Sequence, residues 1–360
     1  MGRTGLIVGL ATLVFGLIAA ISISVAGVEA SRFQPAAAST ELAERNSIKQ
    51  SVRALFEASD YRALERLAGY YRSSGARTPS GIWKLTVLYG AFHDLSAGIG
   101  RDDNRGWQRL STKIAEWQSQ VPGQPTPPIV QAIALKSYAW ALRPRTIVVE
   151  ASTGSEQRFL AALTNTRVLL EADKAVTAAD PHYYVLRADV GTALGEPPDA
   201  LVALIGEGRS KFPSYFALDM SGLDYFAVGS GDKSIGPDEA RRIEAFAATA
   251  AADVSADGDE RYARLYWHAY AAFYGNDLFT RSMVSWPRMR NGMTEIVTHY
   301  PDAWNINNFA YLACLAGDRA TTRNLMQRLP DRPLLTAVWQ APPMFAHCRS
   351  FANAPIEARR

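Results

Sequence analysis

The sequence predicts an all-α protein in which antiparallel helix pairs stack into an α-solenoid, after an N-terminal transmembrane or signal helix. Three observations support this fold class. Apolar residues recur at the 3.6-residue period of a helix through most of the chain, and the period-two alternation of a strand is almost absent. Proline and glycine recur in the second half at intervals of about 30–34 residues, which is typical of stacked helical repeats. An uncharged apolar run occupies residues 6–28.

The N-terminal segment, residues 1–30, predicts export of the chain that follows it. Its uncharged run is long enough to cross a bilayer as a helix, and Arg3 favours an N-terminus that stays inside. Val28 and Ala30 also form a usable signal-peptidase site. Two outcomes stay open: a single-pass inner-membrane anchor with a periplasmic domain, or cleavage that leaves a periplasmic or secreted protein. Both outcomes place the protein in the cell envelope.

Two further segments follow the N-terminal one. Residues 31–46 contain a proline and several alanines, offer no apolar face, and predict a flexible tether. Residues 47–353 predict the helical-repeat domain, because Ile48, Val52 and Phe56 already fall on one face of a helix.

The repeat unit is clearest in the second half of the chain. Asp180 and Pro181 have the character of the N-cap and first residue of a helix that ends at Gly195, and a second helix then runs to Pro213. The same order of proline, glycine turn and proline recurs over residues 301–330. Because one helix pair cannot bury its own apolar face, neighbouring pairs are expected to stack.

Several short stretches of the chain resemble known families. In chain order they are Leu55-Phe-x-x-x-Asp60-Tyr61-x-x-Leu64-Glu65-x-Leu67, Gly81-x-Trp83-Lys84-Leu85, Ala139-Trp140-x-x-Arg143, Asp180-Pro181-x-Tyr183-Tyr184, Tyr262-Ala263-Arg264 and Asn308-Phe309-Ala310-x-x-Ala313-Cys314-x-Ala316-Gly317-Asp318. The helix-pair spacing looks like the tetratricopeptide superfamily without its full consensus. The ordered stretches are similar to the bacterial family named domain of unknown function 4034, over most of residues 48–350, although Pro144 stands where that family often has glycine. The resemblance implies an exported helical-repeat architecture and no assigned activity.

Charge and cysteine content narrow the classes of function. A net charge of +3 on 360 residues is too small to predict a nucleic-acid partner. The charge is uneven, because residues 281–360 carry ten arginines, no lysine and five acidic residues. Cys314 and Cys348 predict a disulfide bond, since an even cysteine count in an exported protein favours pairing. Two buried free thiols are the alternative.

The sequence offers no motif for a metal, a cofactor or a catalytic nucleophile, and we predict none of the three. The five histidines lack metal-ligand spacing. Residues 229–234 lack the spacing of a phosphate-binding loop. Residues 253–259 copy the front half of a calcium loop, but Arg264 stands at the twelfth position, where a bidentate acid is needed.

Candidate binding residues lie where aromatic and amide side chains crowd two predicted helices. They are Tyr262, Tyr266, Trp267, Tyr270, Trp304, Asn305 and Asn308, with Arg288 and Arg290 assisting electrostatically. In a helical-repeat protein such residues line a long concave surface that suits a peptide. The sequence therefore predicts a non-catalytic module of the envelope that binds a peptide or protein partner or supports an assembly.

Two other functions stay open. The first is an envelope hydrolase acting on cell-wall glycan or peptide, which requires a pocket with a desolvated acid beside a second titratable group. The second is a structural subunit of a membrane complex. Partners are expected to be a protein or peptide, with the membrane engaged through the N-terminal helix.

Overall fold

The computed structural model describes residues 41–143, 152–227, 235–252, 258–329, 335–339 and 342–354. Within these ranges the protein is all-helical and contains no β-strand. The helices are α1 (Glu41–Glu57), α2 (Tyr61–Ser74), α3 (Lys84–Ala97), α4 (Asn104–Gln120), α5 (Thr126–Leu142), α6 (Ser152–Ala172), α7 (Lys174–Thr177), α8 (Pro181–Ala193), α9 (Pro198–Lys211), α10 (Phe216–Ala227), α11 (Pro237–Ala252), α12 (Gly258–Ala269), α13 (Leu278–Arg281), α14 (Trp286–His299), α15 (Ala303–Leu315), α16 (Arg319–Met326), α17 (Thr336–Trp339) and α18 (Pro342–Asn353). A π-helical turn, Tyr270–Tyr274, and a 3₁₀ turn, Gly275–Asp277, separate α12 from α13.

Alternate helices pack side by side along the chain. α1, α3, α5, α8, α10 and α12 form a row in which each helix contacts the next. α2, α4, α6, α9, α11 and α14 each contact at least one helix of that row, and α15, α16 and α18 pack together at the C-terminal end. Most contacts therefore join helices that are close in sequence, as they do in helical repeats.

The predicted proline and glycine positions coincide with helix boundaries. Asp180 accepts a backbone hydrogen bond at the start of α8, which begins at Pro181. Gly195, with a φ of +70°, lies in the turn between α8 and α9. Asp302 caps α15 in the same way, and Gly317, with a φ of +72°, separates α15 from α16. Local sequence thus sets where these helices begin and end.

Two apolar clusters form most of the core. The first draws its buried residues from positions 48–218 and the second from positions 223–348. A disulfide bond joins Cys314 on α15 to Cys348 on α18 in the second cluster, with the two Cα atoms 5.6 Å apart.

The first described helix begins inside the segment predicted as a tether. α1 starts at Glu41, whose carboxylate accepts hydrogen bonds from the Thr78 hydroxyl at 3.0 Å and the Ser80 amide at 2.8 Å. Glu44 forms an ion pair with Lys84 at 2.6 Å. These long-range contacts hold residues 41–46 in helix α1, although this stretch lacks an apolar face of its own.

Some sequence predictions concern residues that lie outside the described ranges. They are the anchor or signal peptide at residues 1–30, the first part of the tether, the turn at Pro144 and the glycine-rich stretch 229–234. Among the helices that the structure does describe, none has the length and apolar character needed to cross a membrane.

A loop between α2 and α3, residues 75–83, connects the first helices to the last ones, and we call it the closing loop. The Ser80 carbonyl accepts hydrogen bonds from the Arg264 guanidinium at 3.3 Å and from the Asn305 amide at 3.4 Å. The Trp83 indole donates to the Ser214 carbonyl at 2.7 Å. Gly81 has a φ of +87° and lies so close to Arg264 that an added Cβ would be 2.5 Å from its guanidinium.

Candidate ligand-binding cleft

The predicted aromatic residues divide between the core and the surface. Tyr262 and Tyr266 are fully buried, and both hydroxyls donate to the Glu244 carboxylate. Trp267 and Tyr270 are half-buried. The burial of Tyr262 and Tyr266 removes both from the candidate binding residues, because their hydroxyls already bond inside the molecule and no edge faces solvent.

The side chains of the predicted amide residues bond to backbone carbonyls inside the molecule. The Asn308 side chain donates to the Trp304 carbonyl at 2.8 Å, and the Asn305 side chain donates to the Tyr300 carbonyl at 2.8 Å. Both asparagines are buried. Trp304 is half-buried beneath the Arg45 guanidinium, 5.7 Å from its ring centroid. The amide groups therefore face neighbouring backbone and not a groove.

The two predicted arginines make different contacts. Arg288 stacks on the Tyr262 ring at 4.5 Å and pairs with Asp259 at 2.9 Å. Arg290 is exposed and approaches Asp318 at 3.3 Å. The structure does not bring the nine predicted residues into one groove.

A different part of the molecule contains a cleft of about 990 Å³, between the C-terminal half of α3 and the C-terminal half of α5. We call it the α3–α5 cleft. Its lining residues are His93, Ser96, Ala97, Gly98, Ile99, Gly100, Arg101, Lys136, Ser137, Trp140, Ala141 and Arg143. The cleft is large enough for a ligand of several residues or a drug-sized molecule.

The lining of the α3–α5 cleft is basic. Arg101, Lys136 and Arg143 carry positive charge, and none of the described lining residues is acidic. The Lys136 ammonium pairs with Asp189, which is not a lining residue. Arg101 and Arg143 have no acidic partner within the part of the chain that the structure describes. The charges of these two arginines are therefore available to an anionic ligand.

Among the described lining residues, His93 is the titratable group that does not add positive charge at neutral pH. Burial first, and then the positive charge of Lys136, lower the pKa of His93 to about 4. The ring of His93 packs edge-on against buried His182, with the centroids 5.9 Å apart. A neutral imidazole at this position accepts or donates a hydrogen bond without a change in the charge of the cleft.

One wall of the α3–α5 cleft is aromatic. The Trp140 side chain is 45% exposed, and its ring packs edge-on against Phe159 of α6 with the centroids 5.1 Å apart. The Arg143 guanidinium lies 5.2 Å from the Trp140 ring centroid. The same guanidinium contacts Phe159 at 5.6 Å, which holds it beside the apolar surface. The site thus combines fixed positive charge with an exposed indole.

Sequence reasoning missed this cleft although a signal was present. Lys136, Trp140 and Arg143 have the spacing i, i+4, i+7 of one helix face. Their side chains are basic or exposed, whereas Ile129 and Ile133, which continue the same face toward the start of α5, are buried in the core. Sequence could indicate this polar stripe, but it could not indicate that α3 lies opposite.

A desolvated acid does occur elsewhere in the protein. Burial raises the pKa of Glu65, whose carboxylate accepts a hydrogen bond from the Thr126 hydroxyl at 2.8 Å. Nearby, Arg72 and Tyr89 both donate to Asp180 at 2.7 Å. This buried network joins α2, α3, α5 and α8, and Glu65 does not line the α3–α5 cleft. Its position is that of an interhelical contact in the core.

Comparisons with known proteins do not assign the chain to a family. No family profile, no curated protein and no solved structure matches the chain. Among the described residues there is also no group of three or more histidine, cysteine, aspartate or glutamate side chains placed to hold a metal ion. The class defined here is an all-α protein of packed helices with a basic, aromatic cleft, and the resemblance to domain of unknown function 4034 stays a prediction.

Proposed function

We propose that this protein is a helical-repeat binding module of the cell envelope that captures an acidic segment of a partner protein in the α3–α5 cleft. The observation that carries the proposal is the lining itself, which places Arg101, Lys136 and Arg143 beside exposed Trp140 and, among the residues that the structure describes, includes no acidic side chain. An acidic peptide with an apolar or aromatic residue supplies the complementary charge and surface.

The lining also favours binding over hydrolysis. A glycan hydrolase of the common type needs two carboxyl groups across the scissile bond. The described lining of the α3–α5 cleft offers neither, since it contains no aspartate or glutamate. The hydrolase alternative stays a prediction.

The proposed location in the envelope rests on the sequence. The uncharged run at residues 6–28 supports export, whether it is retained as an anchor or cleaved. The bond between Cys314 and Cys348 supports an oxidising compartment, because disulfides are rare in reducing ones. The proposed architecture is a stack of helix pairs like that of tetratricopeptide repeats.

Fluorescence anisotropy of a labelled acidic peptide tests the proposed function. The probe is an octapeptide of alternating glutamate and aspartate around one phenylalanine, and the reference peptide carries lysine at every acidic position. We expect the purified full chain to bind the acidic peptide alone, with an affinity that falls as salt is added.

Charge-reversal variants locate the binding. Arg143→Glu and Arg101→Glu should each lower the affinity for the acidic peptide at least about tenfold. Arg109→Glu, on the exposed face of α4, should leave this affinity unchanged. Trp140→Ala should weaken it as well, and Tyr70→Ala is its matched control because Tyr70 is 53% exposed and outside the cleft. Equal binding of the two peptides, or no effect of Arg143→Glu and Arg101→Glu, would overturn the proposal.

A further inference from the structure

A second, smaller groove lies between α14 and α16, far along the chain from the α3–α5 cleft. It has a volume of about 180 Å³. α14 contributes Arg290, Thr294 and Thr298 at positions i, i+4 and i+8, and α16 with the residues just after it contributes Asn324 and Arg328. One wall of the groove is therefore formed by a row of side chains on α14, and the other wall by side chains on α16 and just after it.

The floor of this groove is apolar. Phe309 of α15 and Leu325 of α16 line it and are only 3% and 4% exposed. Val297 completes the floor and is also buried. A volume of about 180 Å³ over such a floor accommodates one aliphatic or aromatic side chain and not an extended chain.

The threonine hydroxyls on the α14 wall do not donate into the groove. Thr294 donates to the Arg290 carbonyl at 2.8 Å, and Thr298 donates to the Thr294 carbonyl at 2.7 Å. The donors that remain at the rim are the guanidinium groups of Arg290 and Arg328 and the amide of Asn324. None of the lining residues that the structure describes is acidic. The rim is therefore suited to a carboxylate, which accepts hydrogen bonds and carries the opposite charge.

The rim arginines can change partner at little cost. Arg290 is 45% exposed and lies 3.3 Å from Asp318, and exposed pairs of this kind contribute little to stability. Asp318 also accepts hydrogen bonds from Trp286 at 3.1 Å and from the Thr321 hydroxyl at 2.8 Å, so it keeps partners if Arg290 turns away. Arg328 forms no ion pair within the described ranges.

We propose that the α14–α16 groove binds the C-terminal residue of a peptide, with its apolar side chain on Phe309 and its carboxylate between Arg290 and Arg328. Capture of a terminal carboxylate is one of the recurring ways in which proteins recognise peptides. The groove is a binding site separate from the α3–α5 cleft, and it does not require that cleft to bind anything.

Ligand-observed NMR with three small probes tests the assignment. The probes are N-acetyl-Ala-Ala-Leu, the same tripeptide with a C-terminal amide, and N-acetyl-leucine. The tripeptide acid should bind the full chain at least about tenfold more tightly than its amide, because the amide lacks the carboxylate that accepts charge-assisted hydrogen bonds from both arginines. Equal binding of acid and amide contradicts the proposal. N-acetyl-leucine keeps the last side chain and the carboxylate, so it should bind about as tightly as the tripeptide acid, and its failure to bind would overturn the placement of the terminal residue in the groove.

Matched variants place the binding in the groove. Arg328→Gln should weaken the tripeptide acid about tenfold, and Asn324→Trp should abolish its binding by filling the groove. Gln327→Trp adds the same bulk at an exposed position that does not line the groove and should bind normally. Arg143→Glu should leave this binding unchanged, which separates the groove from the α3–α5 cleft. Normal binding by Asn324→Trp would show that the tripeptide binds elsewhere.

Discussion

The close contact of Gly81 in the closing loop with Arg264 and Tyr300 predicts how much Gly81→Ala, which adds one methyl group, destabilises the protein. Gly81 has a φ of +87°, and a Cβ added there would lie 2.5 Å from the Arg264 guanidinium and 2.6 Å from the Tyr300 ring. Gly81→Ala therefore meets two penalties, which are the strained backbone conformation and the steric overlap. Gly123→Ala is the control, because Gly123 has a similar φ of +74° and open space around its Cα.

The two variants separate the two penalties. The backbone conformation alone costs about 1 kcal/mol for alanine, so Gly123→Ala should lower the free energy of unfolding by about that amount. Gly81→Ala should cost about 1–3 kcal/mol more, which is the usual range for overpacking, because Arg264 and Tyr300 are held by other contacts.

Urea unfolding followed by circular dichroism measures both free energies on the full chain. The shift in midpoint gives the difference between the variants if the slope of the transition is unchanged. Equal destabilisation by Gly81→Ala and Gly123→Ala would refute the reasoning, since it would mean that the closing loop does not pack closely against Arg264 and Tyr300 in solution.

Three further predictions concern other buried contacts. The disulfide bond between Cys314 and Cys348 joins residues 34 positions apart in the sequence. Replacement of both cysteines by serine should lower the free energy of unfolding by about 3–4 kcal/mol, and an unchanged urea midpoint would contradict this. Asp180→Asn should cost about 3–5 kcal/mol, because it leaves the Arg72 guanidinium buried with its main ion pair removed; a loss below about 1 kcal/mol in the same assay would argue against it. The pKa of His93 is about 4 when folded and near its ordinary value of about 6.5 when unfolded, so the unfolded chain binds this proton first and stability should fall as pH is lowered from about 6.5 to 4. His93→Gln should reduce that fall in thermal midpoint, and an identical pH profile would contradict the assignment.

The parts of the fold that depend on local chemistry could be predicted from the sequence. The start of α8 at Pro181 and the turn at Gly195 follow from capping and backbone conformation, which neighbouring residues determine. The start of α1 at Glu41 could not be predicted, because its partners Thr78 and Ser80 are distant in sequence and no apolar period announces them.

The binding residues were harder to predict for a related reason. The aromatic crowding around Tyr262 indicates a helix, but it does not indicate which side of that helix neighbouring helices cover. The α3–α5 cleft needs His93 and Lys136 to face each other across two helices, and one sequence does not reveal that pairing. A basic or exposed stripe such as Trp140 and Arg143 is the signal that local sequence can supply.

The closing loop changes how the molecule should come apart. An open row of repeats frays from its ends, because a terminal repeat has a neighbour on one side only. Here Ser80 holds α12 and α15 through Arg264 and Asn305, and Trp83 holds the segment before α10. Loss of the first helices would expose those buried polar groups, so the first helices are energetically coupled to α12 and α15 and should melt together with them.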